Sequence, residues 1–150
     1  MQKLILIGLL LVVFDGWAYD EVDLAMLKAL NECEGCDLKG ANLKNAYLYE
    51  ANLKRANLSN ANLRGAKLYA ANMHGTNLKN ADLTEVNLRE AKLGRADLSG
   101  ADLSGANLKK AILREVDFSN LGEKKFYRTI LYDVKYCKTM MPWGEVNDDC

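Results

Sequence analysis

Four cysteines and a single histidine are the side chains of this 150-residue chain best suited to redox, metal or nucleophilic chemistry. Cys33 and Cys36 frame the tetrapeptide Cys33-Glu34-Gly35-Cys36, and Cys137 and Cys150 lie near the other end. A C-x-x-C pair can cycle as a dithiol, share a zinc ion with a second pair, or close a local disulfide. His74 has no serine or cysteine placed with it as a recognisable nucleophile–base pair. The chain has no G-x-x-x-x-G-K phosphate loop, no H-E-x-x-H and no calcium-type G-G-x-G-x-D repeat. Asp82 and Asp102, and likewise Asp97 and Asp117, stand twenty residues apart. Such pairs hold a cation weakly at best, and Asp as a turn residue explains them better. The inventory therefore points away from an enzyme, and no cofactor or metal is expected.

What positions these residues is a five-residue period. Residues 36–120 form seventeen successive pentapeptides, each with a large apolar residue at its third place. That residue is Leu in all but two cases, Met73 and Phe118. The first place is small: Ala in thirteen repeats, and otherwise Cys36, Thr76, Val86 and Val116. The second place is Asn or Asp thirteen times. A five-residue period fits neither a 3.6-residue helix nor a two-residue strand. Five residues turn an α-helix by about 500°, so the leucines would spiral around it without defining a face. The chain must turn a corner every five residues, which makes it a solenoid.

The run A-(N/D)-L-x-x, as in Ala51-Asn52-Leu53-Lys54-Arg55, resembles the pentapeptide-repeat family, here as an exported bacterial-type member. The resemblance implies an all-β fold: a right-handed quadrilateral parallel β-helix with four pentapeptides per coil. In it the central Leu and the preceding Ala point inward, and the other three places face out. Elementary physics agrees. A narrow coil has room for one large and one small side chain per side, and stacked coils pair their backbones at about 4.8 Å. Asn and Asp bond their own local backbone and so favour corners. Gly40, Gly65, Gly75, Gly100 and Gly105 at the fifth place suit a tight turn.

A column of about four coils is roughly 20 Å long and separates the two cysteine pairs beyond disulfide reach. That leaves Cys33–Cys36 and Cys137–Cys150, and it argues against a four-cysteine zinc site. A redox C-x-x-C normally opens a helix after a strand, whereas this one follows a helical segment and enters the solenoid.

Residues 1–18 read as a secretory signal peptide: Lys3, an apolar run over residues 4–14, then Gly16-Trp17-Ala18 with small residues at −3 and −1 of a cleavage site. The run is too short for an ordinary membrane span, so no span is expected after cleavage. An exported, periplasmic or secreted protein should keep its cysteines oxidised. Residues 19–35 are expected to form an N-terminal capping helix, with Leu24, Leu27 and Leu30 beside Val22 and Met26 on one face. After residue 120 the register breaks. The pattern resumes three residues late at Thr129-x-Leu131 and Val134-x-Tyr136. Residues 121–150 are expected to hold a loop, a partial coil and a disulfide-tied C-terminal cap, with Met140, Met141 and Trp143 covering the last leucines.

With four repeats per coil, residues twenty apart share one outer side. Two sides carry most acids. A third aligns Tyr49, Tyr69, Arg89 and Lys109, and the fourth carries Lys54, Arg55, Lys92, Arg95 and Arg114, with His74 and Glu115. These nine aromatic and basic residues are the candidate binding face. Formal net charge is zero, so nothing pulls the whole molecule toward nucleic acid, and no nucleic-acid partner is expected. Residues 36–120 hold thirteen basic and nine acidic side chains, +4, whereas residues 19–35 hold one and five, −4. The expected function is a non-catalytic exported scaffold that binds a protein or a polyanionic envelope component, or is structural in the envelope. The alternative comes from the resemblance: some family members mimic DNA and bind type II topoisomerases. Mimicry requires an acidic rod in the cytoplasm, against which stand the basic column and the signal peptide.

Overall fold

The computed structural model of the chain describes residues 6–7, 10–11, 20–121 and 123–146. In the region expected to be a signal peptide, β1 (Leu6–Ile7) and β2 (Leu10–Leu11) pair antiparallel. The rest of residues 1–18, with the proposed cleavage site, lies outside the described residues. Among the described residues no helix is long and apolar enough to cross a membrane.

Helix α1 (Glu21–Leu30) begins at Asp20, whose carboxylate accepts hydrogen bonds from the N–H groups of Val22 (2.9 Å) and Asp23 (3.4 Å). That satisfies amides a helix start leaves unpaired. It ends at Asn31, in the left-handed conformation with φ 55°. Leu27 is fully buried and Leu24 packs against the core, but Leu30 is 67% exposed. The expected face therefore loses its last member. Six residues turn a helix by about 600°, which leaves Leu30 about 120° from Leu24.

Residues 32–117 wind as one parallel β-helix. Backbone pairing runs from Glu32 to Asn52, on to Asn72, to Lys92 and to Ile112, and equivalently on the other three sides. The constant offset of twenty residues means four pentapeptides per coil. Pairing begins one pentapeptide before residue 36, because Cys33 occupies an inward place otherwise held by Leu and is 0% exposed. All seventeen third-place residues are buried, as are the first-place residues apart from Ala46, which is partly buried.

The corners follow from the second and fifth places. Each of the thirteen Asn and Asp side chains accepts a hydrogen bond from the N–H two residues on, for example Lys79 N–H to Asn77 Oδ1 at 3.0 Å. The fifth residue then takes positive φ from Gly35 through Glu115. Glycine adopts that conformation freely, whereas Ala70 or Glu90 holds it at some cost. In the small inward column the Thr76 hydroxyl donates to the Leu53 carbonyl one coil below (2.8 Å). Thr129 and Thr139 do the same toward Leu103 and Leu113.

Beyond residue 120 the offset becomes twenty-three: Asn107 pairs with Ile130, β3 (Ile112–Arg114) with β4 (Lys135–Cys137), and Asp117 with Met140. The shift of three arises at the corner with the 3-10 turn Glu123–Phe126. Phe126 ends that turn in a place that belongs to Leu elsewhere, and its ring meets Phe118 edge-on at 5.3 Å. The hairpin of β5 (Thr139–Met141) and β6 (Gly144–Val146) finishes the column. Of the three residues expected over the last leucines, Met141 is buried, Met140 is partly turned out, and Trp143 stays 65% exposed while touching Phe126 edge-on at 6.0 Å. Alternation along β5 sends Met140 and Met141 to opposite faces.

Cys33 and Cys36 form a disulfide across the first corner, with both residues inward and almost inaccessible. Solvent cannot reach the sulfurs as it must in a working dithiol. Cys137 is disulfide-bonded as well, whereas Cys150 lies outside the described residues.

Candidate functional site: a basic side of the solenoid

The fourth side, from Ala51 onward, carries Lys54 and Arg55 in one coil, Lys92 and Arg95 two coils on, and Arg114 in the next, with His74 in the coil between. The twenty-three-residue offset adds Lys135 and Lys138 to it, below Ile112 and Glu115. Seven cations thus share this side with three carboxylates, Glu115 and, one coil before Ala51, Glu32 and Glu34. Lys135 and Lys138 escaped the sequence reading. Carrying the three-residue shift through the outward places, and not only the inward ones, finds them.

Neighbouring coils place long side chains side by side, and several cations are spent on ion pairs. Lys54 Nζ lies 3.1 Å from Glu34 Oε1, and the Lys54 ammonium holds the Glu34 carboxyl below its ordinary range. Arg95 grips Glu115 through two donors, at 2.7 and 3.3 Å. The pair lowers Glu115 and raises Arg95, mainly through those hydrogen bonds. Both pairs are solvent-exposed and contribute little stability. Lys92 and Arg114 make no ion pair among the described residues.

The third side is a stacked ladder. The Arg89 guanidinium lies 5.9 Å from the centre of the Tyr69 ring, and Lys109 Nζ lies 4.9 Å from that of Tyr132. The Tyr69 hydroxyl donates to Glu90 at 2.7 Å, and this bond to the carboxylate raises the phenol above its usual range. Tyr49 stands 6.1 Å from Tyr47, which is 74% exposed. The ladder therefore engages its cations with rings, and Arg89 also with Glu90 at 3.6 Å, whereas the uncommitted charge belongs to the fourth side. The nine expected residues do fall on two sides, but they divide into a self-satisfied ladder and a basic strip.

On that strip a shallow groove of about 400 Å3 is lined by Lys54, Asn72, His74, Lys92, Gly94, Ile112 and Arg114. No carboxylate lines it. Among the described residues no group of three or more His, Cys, Asp or Glu could hold a metal ion.

The comparisons with known proteins agree with this architecture. The family model described as pentapeptide repeats (8 copies) matches residues 32–65, 46–84 and 81–120. The chain belongs to the pentapeptide-repeat family. Its first matched residue, Glu32, is also where inter-coil pairing begins. Among solved structures, HetL, a pentapeptide repeat protein involved in heterocyst differentiation regulation in the cyanobacterium Nostoc sp. strain PCC 7120, is 33% identical with a TM-score of 0.55. The match covers 77% of this chain and 55% of HetL, so this chain spans little more than half of that protein. A second Nostoc pentapeptide repeat protein, alr5209, is 30% identical over 77% of this chain and 93% of its own, with a TM-score of 0.60. No curated protein matches the chain.

Proposed function

We propose that this pentapeptide-repeat protein is a non-catalytic scaffold that holds an anionic protein or polymer along its fourth side. The observation that carries the reading is the strip of seven cations against Glu32, Glu34 and Glu115, with Lys92 and Arg114 in no ion pair among the described residues. Coils stacked at about 4.8 Å line these charges up along one side, an arrangement that suits an extended acidic chain. Rigid backbone keeps the ordering cost of such a surface low. Export remains part of the proposal: it rests on the composition of residues 1–18 and on oxidised cysteines. In the same reading α1 is a cap, tied down where Asp23 Oδ2 accepts from Asp37 N–H (2.8 Å) and the Asp37 carbonyl accepts from Asp20 N–H (2.9 Å).

The test is a triple charge reversal of Arg55, Lys92 and Arg95, compared with reversal of Lys39, Lys44 and Lys79 on the two acid-bearing sides. Binding to immobilised polyglutamate, and recovery of partners from periplasmic extract, should fall only in the first triple mutant and should weaken with salt. Equal binding by both triple mutants refutes the strip as the site.

A further inference from the structure

One residue of the basic strip departs from the repeat. Apart from Gly94, every glycine from Gly35 to Gly105 stands at the fifth place with φ between 66° and 72°. Gly94 stands at the fourth place and is not among the positive-φ residues. Its backbone therefore does not require glycine. What a side chain would disturb is the imidazole: a Cβ at residue 94 would lie 2.9 Å from His74 Nδ1 and 3.4 Å from its Cε1, so the ring would have to move. The fourth-place column on this side runs Glu34, Lys54, His74, Gly94, Arg114. The missing side chain lets the His74 imidazole lean onto Gly94, which is buried, and the shallow notch that remains lies between His74 and Arg114, two coils or about 9.6 Å apart along the axis. The imidazole lies over the bare backbone of Gly94, and Lys92 stands at the second place of the same coil.

From this we infer that the Gly94 notch is a binding site for a tetrahedral oxyanion of the phosphate or sulfate type, held by His74, Lys92 and Arg114. The inference rests on the basic-strip reading above and names the ligand group that the strip takes. Three features support it together. The lining has cations and no carboxylate. Arg114 and Lys92 carry no ion pair among the described residues, whereas Lys54 and Arg95 on the same strip are each spent on a glutamate. A guanidinium fork, an ammonium and a ring N–H offer more donors than a two-oxygen carboxylate can accept, and a tetrahedral oxyanion can accept them all. The group can come from a free anion or from a phosphorylated or sulfated polymer.

The experiment uses the oxidised full chain. Inorganic phosphate, sulfate and acetate are titrated at constant ionic strength while the His74 ring resonances are followed by NMR. Phosphate and sulfate should shift them saturably, and acetate at least tenfold more weakly. Arg114→Gln should weaken phosphate by roughly tenfold, the loss of one charge-assisted contact. Gly94→Ala should abolish the saturable shift with an unchanged thermal melt, because its φ is ordinary and only the imidazole is displaced. Equal responses to all three anions, or a phosphate response that survives both substitutions, overturns the site. Polyglutamate and a polyphosphate of similar length then separate the two readings. Saturable phosphate binding with no polymer retained refutes the scaffold strip and leaves the notch standing. Retention of both polymers with no phosphate response at His74 refutes the notch and leaves the strip. Tighter retention of polyphosphate that Gly94→Ala removes supports the polymer as the natural source of the group.

Discussion

Replacing Leu78 by Ala tests the inward–outward assignment most directly. Leu78 is 0% exposed and lies between Leu58 and Leu98, its buried equivalents one coil below and one coil above. Its N–H donates to the Asp97 carbonyl at 2.7 Å, so the backbone is clamped and cannot collapse into the vacancy. A rigid site keeps its cavity, which places the loss toward the upper part of the usual Leu→Ala range, about 3–5 kcal/mol. For a chain of this size that is a fall in melting temperature of roughly 10–20 °C. In a solenoid each repeat leans on its neighbours, and a lesion in the middle coil cannot be hidden as end fraying. Lys79, one residue on, is exposed, and Lys79→Ala should change stability by less than about 0.5 kcal/mol. The assay is a thermal melt of the oxidised protein followed by its far-ultraviolet β signal. Similar shifts for the two variants would refute the assignment of third-place residues to the core.

Reduction of Cys33–Cys36 should loosen the first coil and spare the rest, because the bridge closes only one corner and a loop that short contributes about 2 kcal/mol. Amide hydrogen exchange should rise around α1 and residues 31–40 and stay low at residues 76–98; a uniform rise would contradict a local staple. Asp97 accepts from the Ser99 hydroxyl and N–H, and the hydroxyl is the main reason its carboxyl is lowered. A carboxyl lowered in the fold stabilises above its unfolded pKa of about 4 and loses that contribution as pH falls through the folded value. Wild type should therefore melt higher than Ser99→Ala at pH 6, and the gap should shrink as the pH is lowered below the ordinary carboxylate range. A gap that persists in acid would mean that the serine acts through packing alone.

Much of this molecule was legible in its sequence because the period repeats in every coil. The third and first places had to be inside, the Asn and Asp side chains had to serve corners, and the three-residue slip after residue 120 could be read from Thr129, Leu131 and Val134. Tertiary structure decided the rest, and the reason is distance along the chain. Cys33 became an inward residue because its backbone pairs twenty residues away, and Cys has no leucine-like signature to announce it. Phe126 packs against the core because a 3-10 turn shares its corner with the three extra residues, which no local pattern marks. Lys54 and Arg95 turned to Glu34 and Glu115, while Lys92 and Arg114 stayed open. A long exposed side chain takes the rotamer that its neighbours one coil above and below allow. The period alone determines which way each residue points, and only the stacked coils determine what it meets there.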